Sequence, residues 1–117
     1  MVELSSLRAL LTGPIGDSPV YQLVELLHAT DELVRLPDND FTWSSWGNVS
    51  EASSELRLLI ERVQNRDVPS EVEIGVIYAP TGPLQELSLS SGWADTFLRV
   101  ADKYDAIAVQ VWKQSRT

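Results

Sequence analysis

Residues 71–93 read EVEIGVIYAPTGPLQELSLSSGW, and the conformation assigned to them decides the fold class. In the first half Val72, Ile74, Val76 and Tyr78 recur with a period of two, and Glu71, Glu73 and Gly75 fall between them. Such alternation predicts a strand with one buried face, and the β-branched content agrees with a pleated surface. Ala79-Pro80-Thr81-Gly82 fits a type I turn, with proline pre-setting φ at the second position and glycine at the fourth. On this reading Pro83 holds Gly82 extended and excludes a helix. Leu87 and Leu89 then alternate with Glu86, Ser88 and Ser90, so the stretch predicts a β-hairpin.

Working outward, Leu4, Leu7, Leu10 and Leu11 are spaced for a short amphipathic helix over 2–11, closed by Thr12-Gly13-Pro14 and a loop to Asp17. Ser18 followed by Pro19 is an N-cap with proline at the first helical position, opening a helix over 19–29. Residues 31–36 read as a helical turn or an edge strand, with the strand preferred up to Pro37. Phe41-Thr42-Trp43 has the propensity of a short strand. Asn48, with Glu51 three residues later, opens the best helix in the chain, 49–65. Beyond the hairpin, Gly92 opens a helix over 93–104 with Asp95 in its first turn. Ile107, Val109 and Val111 favour a strand, and 113–117 a frayed tail.

The expected fold class is therefore α+β. It comprises one compact domain over 1–117, with a mostly antiparallel sheet of about four strands near 41–43, 71–79, 84–90 and 106–112. Helices would cover one face of that sheet.

Composition narrows the function classes. A chain of 117 residues that is 44% hydrophobic suffices for one core. No apolar run approaches the length of a membrane span, and the N-terminus lacks the pattern of a secretion signal. There is no cysteine, which removes disulfides, thiolate catalysis and cysteine-based zinc sites. These features imply a soluble cytoplasmic protein. The net charge of −8 argues against nucleic-acid binding and suits a basic protein partner. It is uneven: residues 1–56 hold nine acidic and two basic residues (net −7), and residues 57–117 eight and seven (net −1).

No motif for catalysis survives inspection. His28, the single histidine, stands three residues after Glu25, as in di-iron bundles, but the second Glu-x-x-His copy such a site needs is absent. Asp38-Asn39-Asp40 opens like a calcium loop, but Trp43 and Val49 occupy the positions that require glycine and glutamate. No nucleophile elbow and no glycine-rich phosphate cradle occur. No cofactor and no metal site are expected.

The tryptophans are the stronger signal. Trp43 and Trp46 lie in a polar stretch, and on a strand a spacing of three puts them on opposite faces. At least one is expected outside the core, and tryptophan is enriched at interface hot spots. Trp46 is the expected exposed anchor, beside an acidic patch of Asp31, Glu32, Asp38 and Asp40. A second candidate region is the stiff loop from Tyr78 to Pro83, with Thr81, Gln85 and Glu86 as a ligand lip. The first functional expectation is a non-enzymatic module that binds a basic protein, of the inhibitor or immunity type at the level of class alone. The alternative is a small-molecule-binding domain or weak enzyme, with a pocket using Trp93, Tyr78 and either Glu86 or Asp95. A homodimer through an open edge strand is a third possibility.

Overall fold

The computed structural model describes residues 4–12 and 18–113, and among them there is no strand. The helices are α1 (Ser5–Thr12), α2 (Pro19–Val34), α3 (Val49–Gln64), α4 (Glu71–Tyr78), α5 (Pro83–Ser91) and α6 (Ala94–Ala108), which continues into a π-helical turn, Val109–Lys113. The expected loop at 13–17 and the tail 114–117 lie outside the described residues. The α+β class is thus corrected to all-helical, and the sheet near 41–43, 71–79, 84–90 and 106–112 does not exist.

The hairpin fails for a definite reason. Its first arm is α4, in which Ile74, Ile77 and Tyr78 are buried while Val72 and Val76 are exposed. That is the i, i+3, i+4 pattern of a helix, not the alternation of a strand. A capping box starts it: Ser70 Oγ accepts the Glu73 amide at 3.3 Å, and Glu73 Oε2 accepts the Ser70 amide at 2.8 Å. The second arm is α5, where Pro83 occupies the first helical turn instead of forbidding it. Leu84, Leu87 and Ser88 are buried. The Pro-Thr-Gly turn is real, with the Gly82 amide on the Ala79 carbonyl at 2.9 Å, but it joins two helices. Gly82 is required there because a Cβ would run into the Val76 carbonyl oxygen. Gly92, expected to open the next helix, instead ends α5 in the left-handed conformation at φ 86°.

Two further strands dissolve into helices. Residues 31–34 complete α2, and 106–108 complete α6 before the π turn. That turn leaves Val111 and Trp112 packed against the core, with Trp112 Nε1 donating to the Pro69 carbonyl at 3.0 Å. The expected caps Ser18 and Asn48 are both present, accepting the Tyr21 and Glu51 amides.

Helix α2 is the centre of the molecule. Leu23, Leu26, Leu27, Ala29, Leu33 and Val34 are fully or almost fully buried, the signature of a helix covered on most sides. α1, α3 and α6 pack against it, and α5 bridges α4 and α6. One apolar cluster runs through all six helices. The radius of gyration of 13.5 Å equals the roughly 13–14 Å of a compact chain of this length. No described helix is long and apolar enough to cross a membrane.

Candidate functional site

The residues from Arg35 to Asn48, between α2 and α3, have no regular secondary structure. Side chains hold this segment in place. Asn39 Nδ2 donates to the Leu33 and Val34 carbonyls at 2.8 and 3.0 Å, satisfying the open end of α2. Its Oδ1 accepts Trp93 Nε1 at 2.8 Å, at the start of α6. Ser90 Oγ donates to the Asp40 carbonyl at 2.7 Å, and Ser91 Oγ accepts the Asp40 amide at 2.9 Å. Further on, Ser44 Oγ donates to the Pro83 carbonyl, and Glu86 Oε1 accepts the Ser45 amide, both at 3.0 Å. The segment is laced to α5 on both sides of residues 41–43.

At this tip Trp43 is 74% exposed, while Trp46 is 5% exposed. The expectation of Trp46 as the exposed anchor is thereby reversed. Trp46 packs into the core and donates Nε1 to Glu55 Oε2 at 3.3 Å. Trp93 and Trp112 also donate their indole N–H groups. Trp43 has no polar partner among the described residues. Its ring lies beside Leu89, itself 64% exposed, and with Glu86 and Ser90 they line an open groove of about 460 Å³. Asp40 borders it through its bond to Ser90. The Thr42 hydroxyl and amide hold the Asp40 carboxyl below the ordinary carboxylate range.

The structure therefore brings Trp43, Glu86 and Asp40 together, with Asp38 exposed on the same segment. Leu89 and Ser90 were missed. Read as a helix, Glu86, Leu89 and Ser90 fall at i, i+3 and i+4 and share one face, so a helical assignment of 83–91 would have found them. The rest of the expected acidic patch disperses. Asp31 is buried against Ser53, Arg35 and Arg57, and Glu32 accepts the Ser6 and Leu7 amides at the start of α1.

The expected ligand lip also divides. Tyr78 and Gln85 line a cavity of about 270 Å³ between α4 and α6, together with Phe97, Leu98, Tyr104 and Asp105. Thr81 is exposed on the turn, Trp93 is engaged by Asn39, and Glu86 faces the Trp43 groove. Asp95 is exposed in the first turn of α6. Tyr78 stacks on Tyr104 with ring centroids 4.7 Å apart. Thr30 gives its proton to the Leu26 carbonyl at 2.8 Å, so the Tyr78 hydroxyl donates to Thr30 Oγ1 at 2.7 Å. Burial pushes the Tyr78 phenol far up, and it pushes Tyr104 to about 12 with help from Glu71 and Asp105. His28 and Glu25 lie half-buried on α2, and no group of three metal-binding side chains occurs among the described residues.

No protein-family model, no curated protein and no solved structure matches this chain.

Proposed function

We propose that this protein is a cytoplasmic, non-enzymatic binding module that seats a basic segment of another protein on the Trp43–Leu89 groove. The observation that carries the reading is an unpartnered indole, 74% exposed, on a segment held rigid from both sides. A fourteen-residue connection without secondary structure is uncommon inside a small bundle and is more often functional. Exposed tryptophan beside exposed leucine offers an apolar anchor. Asp38, Asp40 and Glu86 offer charge complementary to lysine or arginine. Because the segment is already ordered, little conformational freedom is lost on docking. The absence of cysteine agrees with a reducing compartment.

The test is capture from source lysate at low and high salt, with wild-type and Trp43→Ala/Leu89→Ala baits, followed by crosslinking from position 43. A basic protein that is held by the wild type, crosslinks at 43, and is lost with salt or with the variant supports the module. Equal recovery on both baits, or crosslinking confined to other surfaces, overturns it. Homodimerisation through a strand edge has no basis here, since the described residues contain no strand.

A further inference from the structure

A second polar feature lies away from the Trp43 groove. Helix α3 carries Ser50, Ser53, Ser54 and Arg57 at i, i+3, i+4 and i+7, one stripe along its N-terminal half. Facing them is the end of α2, with Asp31 and, one turn on, Arg35. The Asp31 side chain is 6% exposed and gathers three groups: Ser53 Oγ donates at 2.7 Å, Arg35 Nε lies at 3.2 Å and Arg57 Nε at 3.7 Å. The two arginine side chains remain 48% and 64% exposed. With Val49 and the three serines they line an open hollow of about 300 Å³.

We propose that this hollow binds the phosphate group of a small phosphorylated molecule. The charge allocation is the first argument. Residues 1–56 contain only two basic side chains, and one of them, Arg35, is placed beside Arg57 in a chain of net charge −8. One buried carboxylate between two guanidinium groups leaves the hollow with a local charge of +1. The neighbouring acids of α3 are turned elsewhere: Glu51 accepts the Gly47 amide at 3.3 Å, and Glu55 accepts Trp46 Nε1 at 3.3 Å.

The donor set is the second argument. Asp31 pairs with Arg35 Nε at 3.2 Å and draws Arg57, whose Nε lies at 3.7 Å, towards the same carboxylate, so both guanidinium groups border one hollow. Ser53 spends its proton on Asp31, leaving Ser50 and Ser54 as hydroxyl donors. Two forks and two hydroxyls exceed what the two oxygens of a carboxylate can use, and they suit the three terminal oxygens of a phosphomonoester. The first turn of α3 adds its positive end. The volume exceeds that of an ion alone, since about 30 Å³ corresponds to one water, so an organic moiety fits beside the phosphate.

The experiment is a titration followed by amide and arginine Nε–H resonances, at ionic strength held constant with chloride. Inorganic phosphate, glycerol 3-phosphate and acetate are the three probes. Saturable shifts confined to residues 49–57 and Arg35, with phosphates but not acetate, are expected. Tighter binding of glycerol 3-phosphate identifies an organic phosphate as ligand, and equal binding identifies free phosphate. Arg57→Gln should weaken the phosphates about tenfold or more, and Ser54→Ala about two- to tenfold. Ser54 is exposed on a helix, so its alanine variant folds and keeps the test decisive if Arg57→Gln does not. Shifts that never saturate, that acetate reproduces, or that both variants retain overturn the proposal.

Discussion

Trp43 and Trp46 stand three residues apart, one nearly bare and the other enclosed. The expectation that one lies outside the core rested on a strand that does not form, and it chose Trp46 where the structure exposes Trp43. The choice is made by Glu55, one α3 side chain whose carboxylate reaches Trp46 Nε1, and by the packing of that indole against the central cluster. Neither contact has any local sequence signature. Trp46→Ala should lower stability by about 3–5 kcal/mol, as for other large core truncations. Trp43→Ala should change it by about 0.5 kcal/mol or less. Urea denaturation of the two variants checks both values. Iodide should quench the emission of Trp43 far more than that of the other indoles, and the Trp43→Ala protein should lose most of that quenching.

Among the elements, α2 and α3 were legible where their N-caps are explicit, at Ser18-Pro19 and Asn48. Helix α4 was not. Its apolar residues at 72, 74, 76, 77 and 78 satisfy a period of two and a helical stripe together, and eight residues are too few for periodicity to choose. The deciding signal is Ser70 with Glu73, a capping box that outweighs the β-branched content. Ser70→Ala should therefore cost about 1 kcal/mol, measured by urea denaturation. The Glu73 carboxyl is held below its ordinary value of 4.5, first by the Ser70 amide and then by Arg62 at 3.1 Å. A lowered acid stabilises the fold above its unfolded pKa, and that contribution is lost as pH falls through the folded one. The carboxyl resonance of Glu73 should accordingly titrate below 4.5. A midpoint at or above it would remove the capping box from the account of α4.

At the scale of the whole molecule, the all-helical architecture was not legible in composition or periodicity. Residues 106–112 are helical where the end of α6 and the π turn pack on α2, and residues 71–91 where α4 and α5 pack on each other and on α6, contacts that local periodicity does not show. Thr30 of α2, Tyr78 of α4 and Tyr104 of α6 meet in one contact chain, tying three helices together. Both phenols favour the neutral form in the fold. Tyr104, raised from 10 to about 12 by burial and then by Glu71 and Asp105, contributes stability below pH 10. That contribution is lost as pH rises from 10 to about 12. Urea midpoints measured across this window should fall, and Tyr104→Phe should remove part of the fall, Tyr78 accounting for the rest. A midpoint independent of pH over the same range would show that neither phenol is held neutral by the fold.

The lacing of residues 35–48 also governs where the chain can change length. Closure of a free loop grows only logarithmically more costly with each added residue, but here the ties at Asn39, Asp40, Ser44 and Ser45 divide the connection into short spans of fixed reach. An extra residue inside any tied span would shift the next tie off its partner. The tip bearing Trp43 is one of these spans, closed by the ties at Asp40 and Ser44 with Phe41 packed against the core between them, so a change of length there would move the indole relative to Leu89.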